Sequence, residues 1–159
     1  MAADPRVANG TPDAASVARS LPDSFLRWQI ESRRAMLTAI AAGHMPRRFA
    51  AHLPVMVTFD AESPFAIRTA TKGAGLTPRD EVLDRYIATL EEALARCADR
   101  PWEETLAQRV AAVRALLDRP EDVDPRRLAF LEIFRGRSYA NLRRDGRVVL
   151  HYAGEGPET

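Results

Sequence analysis

Five arginines crowd one short segment near the end of the chain, R-G-R-S-Y-A-N-L-R-R-D-G-R-V-V-L-H-Y, residues 135–152. Between Arg126 and Arg147, seven arginines face only Glu132 and Asp145, which gives a local charge of +5. A planar guanidinium can donate two parallel hydrogen bonds to a phosphate, so a cluster of this kind is suited to bind anions. The segment is either an anion site or an ordinary helix-to-strand corner with a solvated face.

Within this segment, Arg137 and Ser138 are the specific candidates for binding an anion, with Arg135 behind them. Ser138 is expected to cap a short helix over residues 139–144, and Gly146 is expected to end it. The amino end of a helix carries free N–H groups and a positive partial charge, and both favour an anion. Arg137, just before that end, can add a forked contact to a phosphate.

Other residues that could carry chemistry give weaker signals. Arg143 and Arg144 fall in the last turn of the predicted helix, where the negative helix end stabilises a cation without any ligand. The three histidines show no metal-ligand spacing, so we expect no metal site. Cys97 lies on the apolar face of a predicted helix, so we expect a buried, inert thiol. The stretch K-G-A-G at 72–75 does not match a phosphate-binding loop and is predicted to lie in a plain loop over 71–76.

The composition excludes several classes of protein. The net charge is +1, and no aromatic platform accompanies the arginines, which disfavours nucleic-acid binding. No apolar run approaches the roughly 20 residues that cross a bilayer, and the first residues lack an apolar signal core. Cys97 is the only cysteine, so no internal disulfide can form. We therefore expect a cytoplasmic protein without a membrane segment.

The pattern along the chain predicts one α+β domain over residues 20–154, with a disordered arm at 1–19 and a frayed tail at 155–159. A first helix is predicted from Ser20, which would form a capping box with Asp23, to Ala42, followed by Gly43 in a left-handed conformation. Its wide apolar arc indicates burial against more than one neighbour or against a partner chain.

Two β-rich runs, Val55–Asp60 and Phe65–Thr71, predict a hairpin. Two helices then follow at 78–98 and 101–118; Thr77 would cap the first of them, Pro78 would take its first position and Asp80 would complete a capping box. Their apolar residues recur every three or four positions, which predicts an αα-hairpin. The expected fold is thus α+β, a small antiparallel sheet with an N-terminal helix and a long αα-hairpin.

Two stretches near the end complete this assignment. The run R-L-A-F-L-E-I-F at 127–134 fits either a buried strand or a helix, because periodicity cannot decide over so short a run. The run R-V-V-L-H-Y at 147–152 is the clearest strand of the chain.

The segment L-E-I-F-R-G-R-S-Y-A-N-L-R-R-D-G-R-V-V-L-H-Y resembles one part of the FMN-binding split-barrel family, the pyridoxamine phosphate oxidase-like proteins. In that family a strand leads into a short helix with the pattern S-R-K-x-x-x-L-x-x-[DN]-P-x-V-x-L. Arg137 matches the arginine of this pattern, and Ser138 stands at the position of its lysine. Leu142, Asp145, Val148 and Leu150 also match, and Gly146 replaces the proline.

The resemblance implies an FMN cofactor whose phosphate contacts Arg135, Arg137 and Ser138, and a flavin-dependent oxidoreductase if the chain is an enzyme. It also implies one sheet built from Val55–Asp60, Phe65–Thr71, Leu128–Phe134 and Arg147–Tyr152. A homodimer would complete that sheet. It assigns no catalytic residue.

A second hypothesis needs no cofactor. The apolar face of the first helix and the amphipathic helical pair also fit a non-enzymatic accessory or assembly subunit that binds a protein partner through these faces. Absorbance separates the two hypotheses, because a subunit of this kind is colourless.

Overall fold

The computed structural model describes residues 19–45 and 50–153 of the chain. The predicted arm, apart from Arg19, and the predicted tail lie outside these residues. The described chain has an α+β fold, as predicted, and none of its helices is both long and apolar enough to span a bilayer. Its elements are, in order, α1 (Asp23–Ala41), β1 (Val55–Phe59), β2 (Ile67–Thr71), β3 (Ala74–Pro78), α2 (Leu83–Cys97), α3 (Trp102–Leu117), β4 (Val123–Phe130), α4 (Arg137–Arg144) and β5 (Val148–His151).

The predicted hairpin and the predicted final strand form one antiparallel sheet in the order β2-β1-β5. Val55 of β1 lies opposite Thr71 of β2 on one side and opposite His151 of β5 on the other. Met56 and Thr58 point from β1 into the interior and are buried. Alternation of buried and half-buried side chains along β1 is the pattern of a strand with one covered face.

The remaining strands, β3 and β4, form a separate antiparallel pair, and two predictions about them are wrong. Residues 71–76 were predicted to be a loop, yet 74–78 form β3. For the run 127–134, left open between strand and helix, residues 127–130 are the end of the strand Val123–Phe130, and residues 131–134 follow as coil, so the strand Leu128–Phe134 that the resemblance implies is displaced. Pairing with a distant partner overrides the low strand propensity of Gly75 in β3, since strand formation depends on context.

A two-residue corner joins the two sheets, because only Lys72 and Gly73 separate β2 from β3. The amide of Lys72 donates to the carbonyl of Pro54 at 3.1 Å, and the amide of Ala74 donates to the carbonyl of His52 at 2.8 Å. Leu131 donates to the carbonyl of Gly73 at 3.1 Å from the other side. The four predicted strand regions thus belong to two linked sheets and not to the single sheet that was expected.

The main apolar core lies between α1, α3 and the start of β4. Its buried members and the half-buried residues packed on them are Ile30, Leu37, Val110, Leu117, Val123, Leu26, Met36, Ile40, Leu76, Leu106 and Leu116. On another side of α1, the rings of Phe25 and Trp28 pack edge-on against Tyr152 at 5.3 and 5.6 Å. The wide apolar arc of α1 is therefore covered by two different neighbours within the chain.

Both predicted capping boxes are absent. The first residue of α1 is Asp23, preceded by Pro22 without a side-chain cap, so Ser20 lies outside the helix. Pro78 is the last residue of β3, and the next residue, Arg79, still donates its amide to the carbonyl of Asp122 at 2.8 Å. The chain is bonded to its neighbouring strand at the point where the helix was predicted to begin.

The αα-hairpin itself is confirmed, with α2 beginning at Leu83 after a short 3-10 turn. Gly43 has the predicted left-handed conformation after α1, with φ of 78°. The buried residues of α2 are Tyr86, Ala93 and Cys97, a line that shares only Cys97 with the leucine-rich face that the spacing predicts.

Candidate functional site

The predicted short helix exists as α4, but it begins earlier than expected. Gly136 occupies the position before it and Arg137 is its first residue, so Ser138 lies inside the helix and is not a side-chain cap. Ser138 is buried, and Gly146 has no left-handed conformation. Because the first amides of a helix have no intrahelical acceptor, the N–H groups of the first turn of α4 are those that an anion would meet.

The arginines of the C-terminal segment divide into paired and unpaired groups. Arg126 and Arg127 bind Asp124, and Arg147 binds Asp145 at 2.6 Å. Arg144 binds Glu62 at 2.7 Å and the side-chain oxygen of Asn141 at 2.9 Å, so these bonds and not the helix dipole alone stabilise it. Within the described residues, the guanidinium groups of Arg135, Arg137 and Arg143 have no hydrogen bond to an acceptor and no ion pair.

Arg135 and Arg137, two of the predicted phosphate ligands, lie on either side of Gly136 and are exposed. Arg135 has φ of 46°, a left-handed conformation that costs a non-glycine residue energy. Arg143 lies in the last turn of α4, where the helix dipole favours a cation. Arg135 and Arg137 instead lie at the positive end, which favours an anion.

A carboxylate of the chain already approaches this end of α4. Glu132 accepts a hydrogen bond from the amide of Gly136 at 3.4 Å and one from the ammonium group of Lys72 at 2.5 Å. The bond from Lys72 lowers the pKa of the Glu132 carboxyl. Because Lys72 balances the charge of Glu132, the charges of Arg135 and Arg137 remain uncompensated.

One side of α4 faces the β1–β2 turn across a pocket of about 330 Å³. Arg137 lines this pocket, whereas Arg135 and Ser138 do not, so the structure does not bring the three predicted residues into one cavity. The lining residues are Asp60, Glu62, Ser63, Pro64, Arg68, Arg137, Ala140, Asn141 and Arg144. Three arginines against two carboxylates leave a surplus of positive charge.

Sequence reasoning missed two buried residues that line this pocket, Asp60 after β1 and Asn141 in α4. Asp60 is buried at the end of β1, 3.4 Å from Nε of Arg68 and 3.7 Å from Nη2 of Arg144. Asn141 is buried and donates to the hydroxyl of Thr58 at 3.2 Å, which fixes α4 on β1. Knowing that Arg68 lies opposite Thr58 in the hairpin would have identified these residues. That register follows from strand pairing, however, and not from residue type.

Beside the amino end of α4 lies an apolar surface that was predicted to be buried. Leu131, Ile133 and Phe134 belong to the run whose apolar residues suggested a strand or helix interior. All three are exposed, and 88% of Phe134 is accessible to solvent. The coil after β4 turns these side chains outward, immediately before the unpaired arginines.

A buried polar cluster on α1 also escaped the sequence analysis, which assigned this helix an apolar interior. The guanidinium of buried Arg33 donates to the side chain of Gln29 at 2.9 Å and to the carbonyls of Ala51 and Ala74 at 2.7 and 2.8 Å. Burial lowers the pKa of Arg33 to about 10. These bonds join α1 to the chain before β1 and to the start of β3, so the role of Arg33 is structural.

His52 is the remaining partner of Arg33, whose Nη1 lies 2.8 Å from Nδ1 of the imidazole. Burial, together with the charge of Arg33, lowers the pKa of His52 to about 4, so a neutral ring accepts this hydrogen bond. The amide nitrogen of Gln29 and the hydroxyl of Tyr152 are buried and find no hydrogen-bond partner in the described part of the chain.

Other residues considered in the sequence are placed outside the site. Cys97 is fully buried, and its sulfur lies 3.5 Å from the side-chain oxygen of Gln108. His151 is exposed on β5. Among the residues that the structure describes, no three histidine, cysteine or acidic side chains are grouped to hold a metal ion.

Comparisons with models of protein families, with curated proteins and with solved structures find no match for this chain. Any function must therefore be inferred from the chain's own residues and from the resemblance of its C-terminal segment.

Proposed function

We propose that this chain is a small flavoprotein that binds FMN, with the phosphate at the amino end of α4. Arg137 and Arg135 supply guanidinium contacts, and the first amides of α4, including that of Ser138, supply N–H donors. The proposal joins the split-barrel resemblance of residues 131–152 to the site described above. The single buried cysteine supports a reducing, cytoplasmic setting.

One observation carries the proposal: two unpaired cations lie at the end of a helix that favours anions. A guanidinium placed beside the positive helix end is repelled by the helix dipole, and no carboxylate of the described chain compensates Arg135 or Arg137. A phosphate dianion offsets the repulsion between the guanidinium groups and the helix dipole and also supplies the missing negative charge. It does so because it binds the guanidinium groups and the free amides together.

The donors present fit the phosphate end of FMN, and the apolar surface beside them fits its ring. Leu131, Ile133 and Phe134 are exposed next to the arginines and would be covered by a flat aromatic ring system. We propose that a second copy of the chain covers the other side of the ring, which makes the protein a homodimer. Bound FMN supplies hydride transfer, and the chain supplies position and positive charge.

Absorption spectroscopy tests this proposal. The purified protein is mixed with FMN, desalted and examined for the flavin bands of the visible spectrum. We expect retention of FMN, and weaker binding of riboflavin, which lacks the phosphate. Arg137→Ala should weaken FMN binding roughly 10- to 100-fold, the value of a charge-assisted hydrogen bond to phosphate.

Arg143→Ala is the matched control, because Arg143 is an unpaired arginine on the same helix, at the end that favours a cation. It should leave FMN affinity within about twofold of the wild type. Equal affinity for FMN and riboflavin, or equal losses in the two variants, would contradict a phosphate site at the amino end of α4.

The alternative function, an accessory subunit that binds a protein partner, is favoured by a different observation. Leu83, Ile87, Leu90 and Leu94, the apolar residues whose spacing predicted α2, are exposed. This surface is on the helical hairpin and does not include the arginines, so a partner-binding role and an FMN site do not exclude each other.

A further inference from the structure

Four large apolar residues form a stripe along α2 that we call the outer face of α2: Leu83, Ile87, Leu90 and Leu94. Their exposed fractions are 38%, 42%, 42% and 62%. The spacing of four, three and four residues is that of the seam through which one helix packs against another. Exposed apolar stripes of this regularity mark interaction surfaces more often than scattered single side chains do.

The packing of the hairpin explains why the stripe is uncovered. Tyr86, Ala93 and Cys97 are the buried residues of α2, and α2 packs mainly against α3, with further contacts to the turn before it and to Asp122. On a helix with 3.6 residues per turn, this buried line lies beside the outer face and does not coincide with it. One border of the outer face is therefore occupied by α3, and the other border is open.

The open border of the outer face is acidic. Asp84 and Glu91 follow Leu83 and Leu90 and lie on the side away from α3. Neither carboxylate has an ion pair within residues 19–45 and 50–153. Glu92, by contrast, is about 100° further around the helix and lies 3.8 Å from Arg96.

This charge pattern decides against a second copy of the chain as the occupant. If two copies of α2 packed antiparallel along their outer faces, the open border of one copy would meet the open border of the other. Asp84 and Glu91 of one copy would then face the same two carboxylates of the second copy. Carboxylates that face each other in this way destabilise the pair of helices. A partner helix with lysine or arginine opposite Asp84 and Glu91 would stabilise it.

We infer that the outer face of α2 binds an amphipathic helix of another protein, whose apolar stripe is bordered by lysine or arginine. The stripe spans three turns, so the partner helix needs an apolar face about 17 Å long. This inference deepens the partner-binding alternative and does not depend on FMN. The apolar residues provide most of the affinity, and Asp84 and Glu91 favour a partner helix whose border residues are positively charged.

Two labelled synthetic helices serve as probes. Both carry leucines at the spacing of the outer face, and they differ only in having lysines or glutamates along the border. Binding to the full chain is measured by fluorescence anisotropy at moderate ionic strength. We expect the lysine peptide to bind about tenfold more tightly than the glutamate peptide. Leu90→Gln should weaken binding of the lysine peptide about tenfold.

Glu91→Lys and Glu92→Lys form a matched pair with the same change of charge on different sides of α2. Glu91→Lys should abolish the preference for the lysine peptide, and Glu92→Lys should preserve it. Equal effects of the two substitutions, or equal affinity for the two peptides, would overturn the inference. So would a concentration-dependent dimer that Leu90→Gln dissociates, because a second copy would then occupy the face.

Retention of FMN by Leu90→Gln is measured in parallel. A variant that loses peptide binding but retains FMN shows that the two surfaces act separately. Loss of FMN binding in Arg137→Ala leaves the peptide result unchanged, so the failure of one proposal is distinguishable from the failure of the other.

Discussion

The segment 119–127 after α3, which we call the hairpin base, and the amino end of α4 are both rich in arginine, but they use it in opposite ways. At the hairpin base, buried Asp124 accepts hydrogen bonds from Arg126 at 2.9 and 3.0 Å and lies 2.8 Å from Arg127. At the amino end of α4, Arg135 and Arg137 have no carboxylate partner in the described chain. In the first region a guanidinium compensates a buried anion, and in the second an uncompensated guanidinium is exposed.

The hairpin base contains a second buried carboxylate with the same kind of environment. Asp122 accepts a hydrogen bond from the hydroxyl of Tyr86 at 2.6 Å and pairs with Arg85 and with Arg119. Burying a carboxylate is costly unless cations and donors surround it, so these arginines are needed by the fold. The comparison teaches that the number of arginines does not by itself indicate a ligand, because the arginines at the hairpin base have carboxylate acceptors within the chain.

The largest expected contrast between the regions is in stability. Asp124→Asn should lower the free energy of unfolding by on the order of 2–3 kcal/mol, because it removes the charge-assisted hydrogen bonds from Arg126 and the ion pair with Arg127. Arg137→Ala should change the free energy of unfolding by less than about 0.5 kcal/mol, since it breaks no internal bond. Urea unfolding followed by circular dichroism measures both. Similar losses in the two variants would show that Arg137 is structural and would weaken the phosphate proposal.

A pH titration of stability sharpens the comparison with a third arginine environment, that of Arg33. The pKa of His52 is lowered from 6.5 to about 4 by burial and by Arg33, so the unfolded chain takes up the proton first. Neutral His52 therefore contributes its full share to the free energy of unfolding above pH 6.5, and this contribution is lost as the pH falls from 6.5 to about 4. In His52→Gln, whose amide oxygen can accept the same bond, the urea midpoint should vary less over this range. Parallel profiles of variant and wild type would exclude His52 as the cause.

The smallest expected effect is that of inorganic phosphate on thermal stability. Phosphate at millimolar concentration should stabilise the wild type by a few tenths of a kcal/mol relative to chloride at equal ionic strength, through weak binding at α4. Arg137→Ala should lose this stabilisation, and Arg143→Ala should retain it. Differential scanning fluorimetry measures the three proteins side by side. The same phosphate effect in Arg137→Ala would place the anion somewhere other than the amino end of α4.

Elements that depend on neighbouring residues were predictable from the sequence. The β1–β2 hairpin, the αα-hairpin, β5 and the left-handed Gly43 all follow from local patterns of side chains and turn residues. The errors lie where distant segments meet, as in β3, which is a strand because β4 pairs with it. The capping prediction at Thr77 failed for the same reason, because Pro78 is held opposite Val123 of β4.

The candidate site was predictable in part. Local charge density identified Arg135 and Arg137, and neither has a partner among residues 19–45 and 50–153. The sequence did not distinguish them from Arg144, because the acceptors of Arg144 include Glu62, which lies in a distant turn. Ser138 was assigned as a cap, but α4 begins at Arg137. Ser138 therefore contributes its backbone amide to the first turn, and its hydroxyl does not cap the helix.

The sequence by itself determined the fold class, the order of most elements and the place where cationic charge accumulates, because short-range periodicity and composition carry this information. Only the tertiary structure decided which arginines are compensated, which face of α2 is uncovered and that Arg33 lies inside the molecule. These outcomes depend on which acceptors and apolar surfaces distant segments bring within a few ångströms. Burial and pairing are properties of those encounters and are absent from any single stretch of the chain.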